Sequence, residues 1–211
     1  MRIGNNETLE VLGTTDVSSG TLTMAPGQVL KTYIEESSLA SFPLALTELR
    51  VWDDLALLLP GTAATDDLGI IEGTWGAEAP TVQSADAKAT TVTQYARFRI
   101  AVPQSYKDGQ DIKLRLSAGM ITTVANGTAT VNVECYKDDE SGGVSANLCT
   151  TGEQSINNLA KADKDFIITA TSVVTGDVLD FRITVAITDA ATGTAVIGEI
   201  SRIEPLFDVR G

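Results

Sequence analysis

The segment from Asp177 to Asp189, DVLDFRITVAITD, alternates apolar and polar side chains without a break. Leu179, Phe181, Ile183, Val185 and Ile187 fall on one phase, and Asp180, Arg182, Thr184, Ala186 and Thr188 on the other. A period of two belongs to a pleated strand with one dry face and one wet face. Alone, such a strand leaves its backbone groups and its apolar face unsatisfied. It therefore predicts hydrogen-bonded neighbours on both sides and a second layer over its dry face.

The same period recurs through the C-terminal half. Between Thr91 and Val102, Ala96, Phe98, Ile100 and Val102 stand opposite Tyr95, Arg97 and Arg99; between Asp111 and Thr123, Ile112, Leu114, Leu116, Ala118 and Met120 stand opposite Lys113, Arg115 and Ser117. Ala125-Asn126-Gly127 carries a tight-hairpin signal. Gly127 to Lys137 then places Ala129, Val131, Val133 and Cys135 inward. These three runs read as a meander. A long connection from Asp138 to Lys164, with a small element in NLCTTGEQSINN, is the kind that carries a Greek-key chain from one sheet to the other. Strands over 165–174 and 195–204 complete a set of about seven or eight, which predicts an all-β, antiparallel, jelly-roll-like β-sandwich.

The N-terminal part follows another pattern. Residues 1 to about 30 read as an extended arm, and Lys31 to Pro43 as a short helical turn or a loop. Leu44 to Pro60, LALTELRVWDDLALLLP, is strongly apolar yet fits neither period, which suggests that something covers it, such as another subunit. The Gly-, Ala-, Thr- and Asp-rich run from Gly61 to Ala89 predicts loops with one or two short edge strands at most. A boundary near residue 88 follows, with arm and loop-rich region over 1–88 and sandwich over 89–211.

Composition narrows the function. Aromatic residues are 5% of the 211 and apolar residues 43%, a balance suited to strands and turns. With 28 acidic against 15 basic residues the net charge is −13, which repels nucleic-acid phosphates and anionic membranes. No run approaches the roughly 18 to 20 apolar residues of a membrane span, and the start MRIGNNETLE lacks a secretory pattern, so the expected place of synthesis is a cytoplasm. No nucleic-acid or membrane partner is expected.

The chain contains no histidine, which removes the commonest general base and most transition-metal ligand sets. The acidic doublets Asp53/Asp54 and Asp66/Asp67 and the triplet Asp138/Asp139/Glu140 are the remaining candidates for acid–base or calcium chemistry. Neighbours on a strand point to opposite faces, and the triplet matches no EF-hand loop, so solvated turns are the expected role. Neither catalytic residues nor a metal or cofactor site is assigned, and the expectation is a protein that is not an enzyme. Cys135 reads as a buried thiol within a strand, with a Cys135–Cys149 bridge, formed in an oxidising medium, as the alternative. Trp52 and Trp75 both precede the regular strands; each reads as an internal anchor or as a platform for a partner or a sugar.

The stretches DDLGIIEGTWGAEAPTVQSADAKA (66–89), TQYARFRIAVPQSYKDGQDIKLRLSAGM (93–120) and NLCTTGEQSINN (147–158) resemble a family of small β-sandwich proteins encoded by tailed phages. The LPGTAATDDLG loop (59–69), the turn Pro103 to Tyr106 and the strand entry Thr175 to Leu179 carry the pattern. The role this resemblance implies is that of the trimeric capsid cement, or decoration, proteins of short-tailed cyanophages, whose sandwiches are similar to distal tailspike domains. It implies a homotrimer on the outer surface of the virion head, assembled in the host cytoplasm, with the major capsid protein shell as partner. A receptor-binding domain of a tail fibre or tailspike, contacting host-surface glycan, is the alternative. On the cement reading the shell and subunit contact residues are Trp52 as anchor with Leu55, Leu57 and Leu58, and the arm contributes further contacts.

Overall fold

The computed structural model describes residues 38–138, 141–190 and 193–210. The expected arm, residues 1 to about 30, lies outside them. Strands are β1 (Ser38–Ser41), β2 (Gly69–Ile71), β3 (Thr81–Gln83), β4 (Thr91–Ala101), β5 (Ile112–Met120), β6 (Gly127–Lys137), β7 (Gln154–Ser155), β8 (Ala162–Ile168), β9 (Val178–Asp189) and β10 (Gly198–Val209); a single 3-10 turn spans Leu46–Glu48.

They form two antiparallel sheets. One runs β2-β3-β10-β5-β8, with β1 also on β10, and the other runs β4-β9-β6-β7. From β3 to β10 the chain thus deals its strands in a jelly-roll order, and the expected antiparallel β-sandwich is the fold. Alternation explains the packing. Leu179, Phe181, Ile183, Val185 and Ile187 of β9 are buried, and they meet Ile112, Leu114, Leu116 and Met120 of β5 with Ile200, Ile203 and Phe207 of β10 in one core. At its centre the rings of Phe98 and Phe181 stack with centroids 4.8 Å apart, on strands that pair these two residues directly. Burying such side chains stabilises by about 1.5–3 kcal/mol each. Both cysteines are free thiols, with Cys135 buried in this core.

The meander does not form. β4 and β6 both flank β9, whereas β5 sits in the opposite sheet between β10 and β8. Ala125-Asn126-Gly127 therefore joins two sheets instead of turning a hairpin. Gly127 serves a different purpose: a Cβ there would stand 1.9 Å from the Thr188 carbonyl oxygen, so the residue allows two backbones to touch. Equal periodicity marks a strand but does not say which layer holds it.

Residues 38–88 contribute three strands to the sandwich. β1 pairs with β10 from Ser38↔Val209 to Ser41↔Leu206, and β3 pairs with the other end of β10 while carrying β2. Ser38–Ser41 is thus a strand, where composition suggested a turn or loop. The last strand also runs on to Val209, past Pro205. A register shift between Ile200 and Arg202 resets its alternation, so that Ile200 and Ile203 both reach the core.

Candidate functional site

Arg50 hydrogen-bonds to the free edge of β4, donating its N–H to the Arg97 carbonyl at 2.8 Å and accepting from the Arg97 N–H at 3.0 Å. From there the chain leaves as a short loop and returns. Val51 N–H donates to Leu57 O at 3.1 Å, and Arg50 pairs with Leu58. Asp54 shapes the tip, its side chain accepting from Ala56 N–H at 3.0 Å and its carbonyl from Leu57 N–H at 3.1 Å. Buried Leu49 and Leu59 hold the base. All four residues expected as contacts, Trp52, Leu55, Leu57 and Leu58, are therefore brought together on this loop.

Their environments differ. Trp52 is half-buried against its own chain: its ring lies 5.1 Å from that of Tyr95, its Nε1–H donates to Asp66 Oδ2 at 2.9 Å, and its N–H points to Asp67 Oδ1 at 3.4 Å. The Arg182 guanidinium covers both rings, 5.3 Å from Trp52 and 5.0 Å from Tyr95. Trp52 thus pins the loop to the sheet, with a cation over an aromatic pair. Leu55 is half-buried and lines a shallow cleft of about 360 Å³ with Glu48, Arg50 and Arg99. Leu57 and Leu58 are 55% and 60% exposed.

The acidic doublets separate into distinct roles. Asp53 and Asp54 lie at the exposed loop tip. Asp66 and Asp67 hold Trp52; burial raises the Asp67 pKa, against the hydrogen bond from Trp52 N–H, with the nearby charges of Asp66 and Asp53 adding to the rise. Asp138 pairs with Arg99 at 2.6 Å, and the next two acidic residues lie outside the described ones. Among the described residues no group of three or more His, Cys, Asp or Glu side chains is placed to hold a metal.

Beside the loop, the outward face of β4, β9 and β6 is ordered in rows. Tyr95, Thr184 and Asn132 form one row, Arg97, Arg182 and Glu134 the next, and Arg99, Asp180 and Tyr136 a third. Arg97 grips Asp180 through Nε at 2.8 Å and Nη2 at 2.5 Å, and Arg182 Nε donates to Glu134 Oε2 at 2.7 Å. A second open cleft of about 220 Å³ adjoins this face between Arg97, Arg99, Asp138, Asp180 and Gly142–Val144. These pairs tie charges to one another across the face. Sequence alternation identified the outward residues of β4 and β9, but the Tyr95–Trp52–Arg182 stack joins segments that no local pattern connects.

Trp75 stands apart. It sits between Gly73 and Gly76, whose φ values of +70° and +80° suit glycine, on a turn closed by Ala77 N–H and Glu78 N–H onto Thr74 O at 2.9 Å each. Glu78 Oε2 in turn accepts from Thr74 N–H at 3.1 Å. Trp75 is 100% exposed.

No protein-family model and no curated protein matches the chain. Among solved structures, similarity extends to a xylan-binding module (15% identity, TM-score 0.38, covering 82% of this chain and all of that one). It extends also to a protein from work on promiscuous carbohydrate-binding modules of the β-sandwich superfamily (10%, TM-score 0.37, 88% and 64%). An arabinose-bound α-L-arabinofuranosidase is a third (13%, TM-score 0.36), and the chain spans 23% of its length. At these values the likeness carries no argument about binding or chemistry; the jelly-roll sandwich rests on the strand pairing itself.

Proposed function

We propose that this protein is a non-catalytic structural component of a tailed-phage virion, a homotrimeric cement protein that docks on the outer surface of the assembled head and stabilises it. The observation that carries this reading is the presentation of Leu57 and Leu58, two exposed leucines on a loop braced by the Trp52 stack and by buried Leu49 and Leu59. Holding apolar side chains in water costs free energy that a partner surface recovers, and bracing lowers the entropy lost on docking. The acidic jelly roll behind the loop serves as a rigid, soluble body. Because the shell forms the binding surface only once assembled, bound copies stabilise it by mass action, and repeated sites add avidity. Trp52 acts here as the anchor of the contact loop within its own subunit, and Leu57 and Leu58 as the groups that meet the shell or a neighbouring copy.

The test is molar mass by light scattering followed by pelleting with emptied, undecorated phage shells. A trimer that pellets in a saturable ratio, and a Leu57→Asp variant that loses trimerisation or pelleting, support the proposal. A variant that retains both overturns the role of the loop.

A second reading, a receptor- or glycan-binding domain of a tail fibre or tailspike, draws on Trp75, whose fully exposed indole on a closed turn suits stacking against a sugar ring. Adhesion to host cells without shell binding, lost in Trp75→Ala, selects that reading.

A further inference from the structure

Between β6 and β8 the chain crosses from one sheet to the other along a strap. Leu148 N–H donates to Cys135 O on β6 at 2.8 Å, Thr150 N–H donates to Ile167 O on β8 at 2.9 Å, and Thr169 N–H donates to Leu148 O at 2.9 Å. The strap therefore stitches the edge of one sheet to the edge of the other. Two cysteines sit on either side of this seam.

Their placement is set by one side chain. Asn147 Oδ1 accepts the N–H of Cys135 and the N–H of Cys149, each at 3.0 Å. Two donors on a single oxygen bring their amide nitrogens within twice that distance of each other, so the two residues are neighbours across the seam. Cys135 is buried in the core, and Cys149 packs, partly buried, against the same cluster, its Sγ donating to the Thr151 carbonyl at 3.6 Å. Burial pushes the Cys135 thiol well above its ordinary range, and the Cys149 thiol adds to the rise. Cys149 is the more accessible of the two.

We infer that Cys135 and Cys149 form an intramolecular disulfide when the protein meets an oxidising medium, a cross-link that locks the strap over the edge of the sandwich. With a small-molecule disulfide such as oxidised glutathione, the Cys149 thiolate attacks one sulfur, displaces one glutathione thiolate and forms a mixed disulfide. As the strap opens, the Cys135 thiolate attacks the Cys149 sulfur and displaces the second glutathione thiolate. The two protein thiols are oxidised, the small disulfide is reduced to two thiols, and the cysteine protons pass to the departing thiolates. In a reducing cytoplasm the same pair stays as thiols. The device is independent of the shell-docking proposal.

The test uses the full chain, purified under reducing conditions and incubated with oxidised glutathione. The expected product is a chain two hydrogens lighter, with no covalent link to another chain, whose non-reducing peptide map joins the Cys135 and Cys149 peptides. Its thermal midpoint should exceed that of the reduced form by about 5 °C, and the rise should be absent in Cys149→Ser. The peptide map needs no variant and stands even where Cys149→Ser folds poorly. Disulfide-linked dimers through Cys149, two thiols still titratable in denaturant after the incubation, or a cross-link formed only above the unfolding temperature would each overturn the inference.

Discussion

Arg97 and Arg182 stand directly opposite each other on β4 and β9. Like charges in that position repel, and the face tolerates them because each guanidinium is held by its own carboxylate, Arg97 by Asp180 and Arg182 by Glu134. Asp180 is the more heavily used anion, since Arg99 Nε lies 3.7 Å from it as well. Replacing Asp180 by Asn leaves two arginines, Arg97 and Arg99, beside a neutral amide. The expected cost is about 1–2 kcal/mol, moderate because Arg97 and Arg99 are partly solvated. A urea melt reads it as a lowered midpoint, and an unchanged midpoint would show that water screens the cluster.

Trp52→Ala tests the brace of the contact loop. It removes the ring contacts with Tyr95 and Arg182 and the hydrogen bond to Asp66, and is expected to cost about 1–3 kcal/mol. Limited proteolysis should then cut within 50–59, whereas Leu57→Asp and Leu58→Asp, at exposed positions that do not hold the loop, should leave it as resistant to cutting as in wild type. Equal protease resistance in Trp52→Ala would mean that the loop is held from its base alone.

Acid should loosen the β5–β8 pairing. Arg115 hydrogen-bonds Asp165 through Nε at 2.7 Å and Nη2 at 2.9 Å, and together with Lys113 lowers the Asp165 pKa from 3.8 to about 2. A folded-state pKa below the unfolded one gives stability that is complete above the unfolded value. That stability disappears as pH falls from about 4 through about 2. Because Asp165 is about a third exposed, the contribution is about 1 kcal/mol. Denaturant midpoints measured between pH 5 and pH 2 should fall less steeply in Asp165→Asn than in wild type; parallel curves would assign the acid sensitivity elsewhere.

Gly127→Ala probes the crossing between the sheets. With its Cβ directed at the Thr188 carbonyl oxygen from 1.9 Å, β6 and β9 must separate, at an expected cost of about 3 kcal/mol or more. Circular dichroism melts measure it, and a wild-type midpoint would require the backbone at Gly127 to move freely.

The chain announced its long strands because burial on one face forces a period of two, and β4, β5, β6 and β9 begin and end within a few residues of where that period does. Alternation also separated the outward Arg97, Asp180 and Arg182 from the inward Phe98, Phe181 and Ile183. It failed on β10, where the bulge near Ser201 breaks the phase and Pro205 reads as a stop; the strand continues because Pro205 still offers a carbonyl, which accepts from Phe42 N–H at 2.9 Å. It gave no signal on β1, β2 and β3, which are too short for any period and are ordered by pairing with the long strands; β2 and β3 match the one or two short strands that composition points to within 61–89. The gathering of Trp52, Leu55, Leu57 and Leu58 could be read from their closeness in sequence. Which of them faces water could not, because it depends on Tyr95 and Arg182, 43 and 130 residues beyond Trp52. Nor could the assignment of β5 to the opposite sheet be read locally. Periodicity records how one strand divides oil from water, whereas the choice of sheet and the partners across it depend on contacts between distant segments, and only the folded chain decides those.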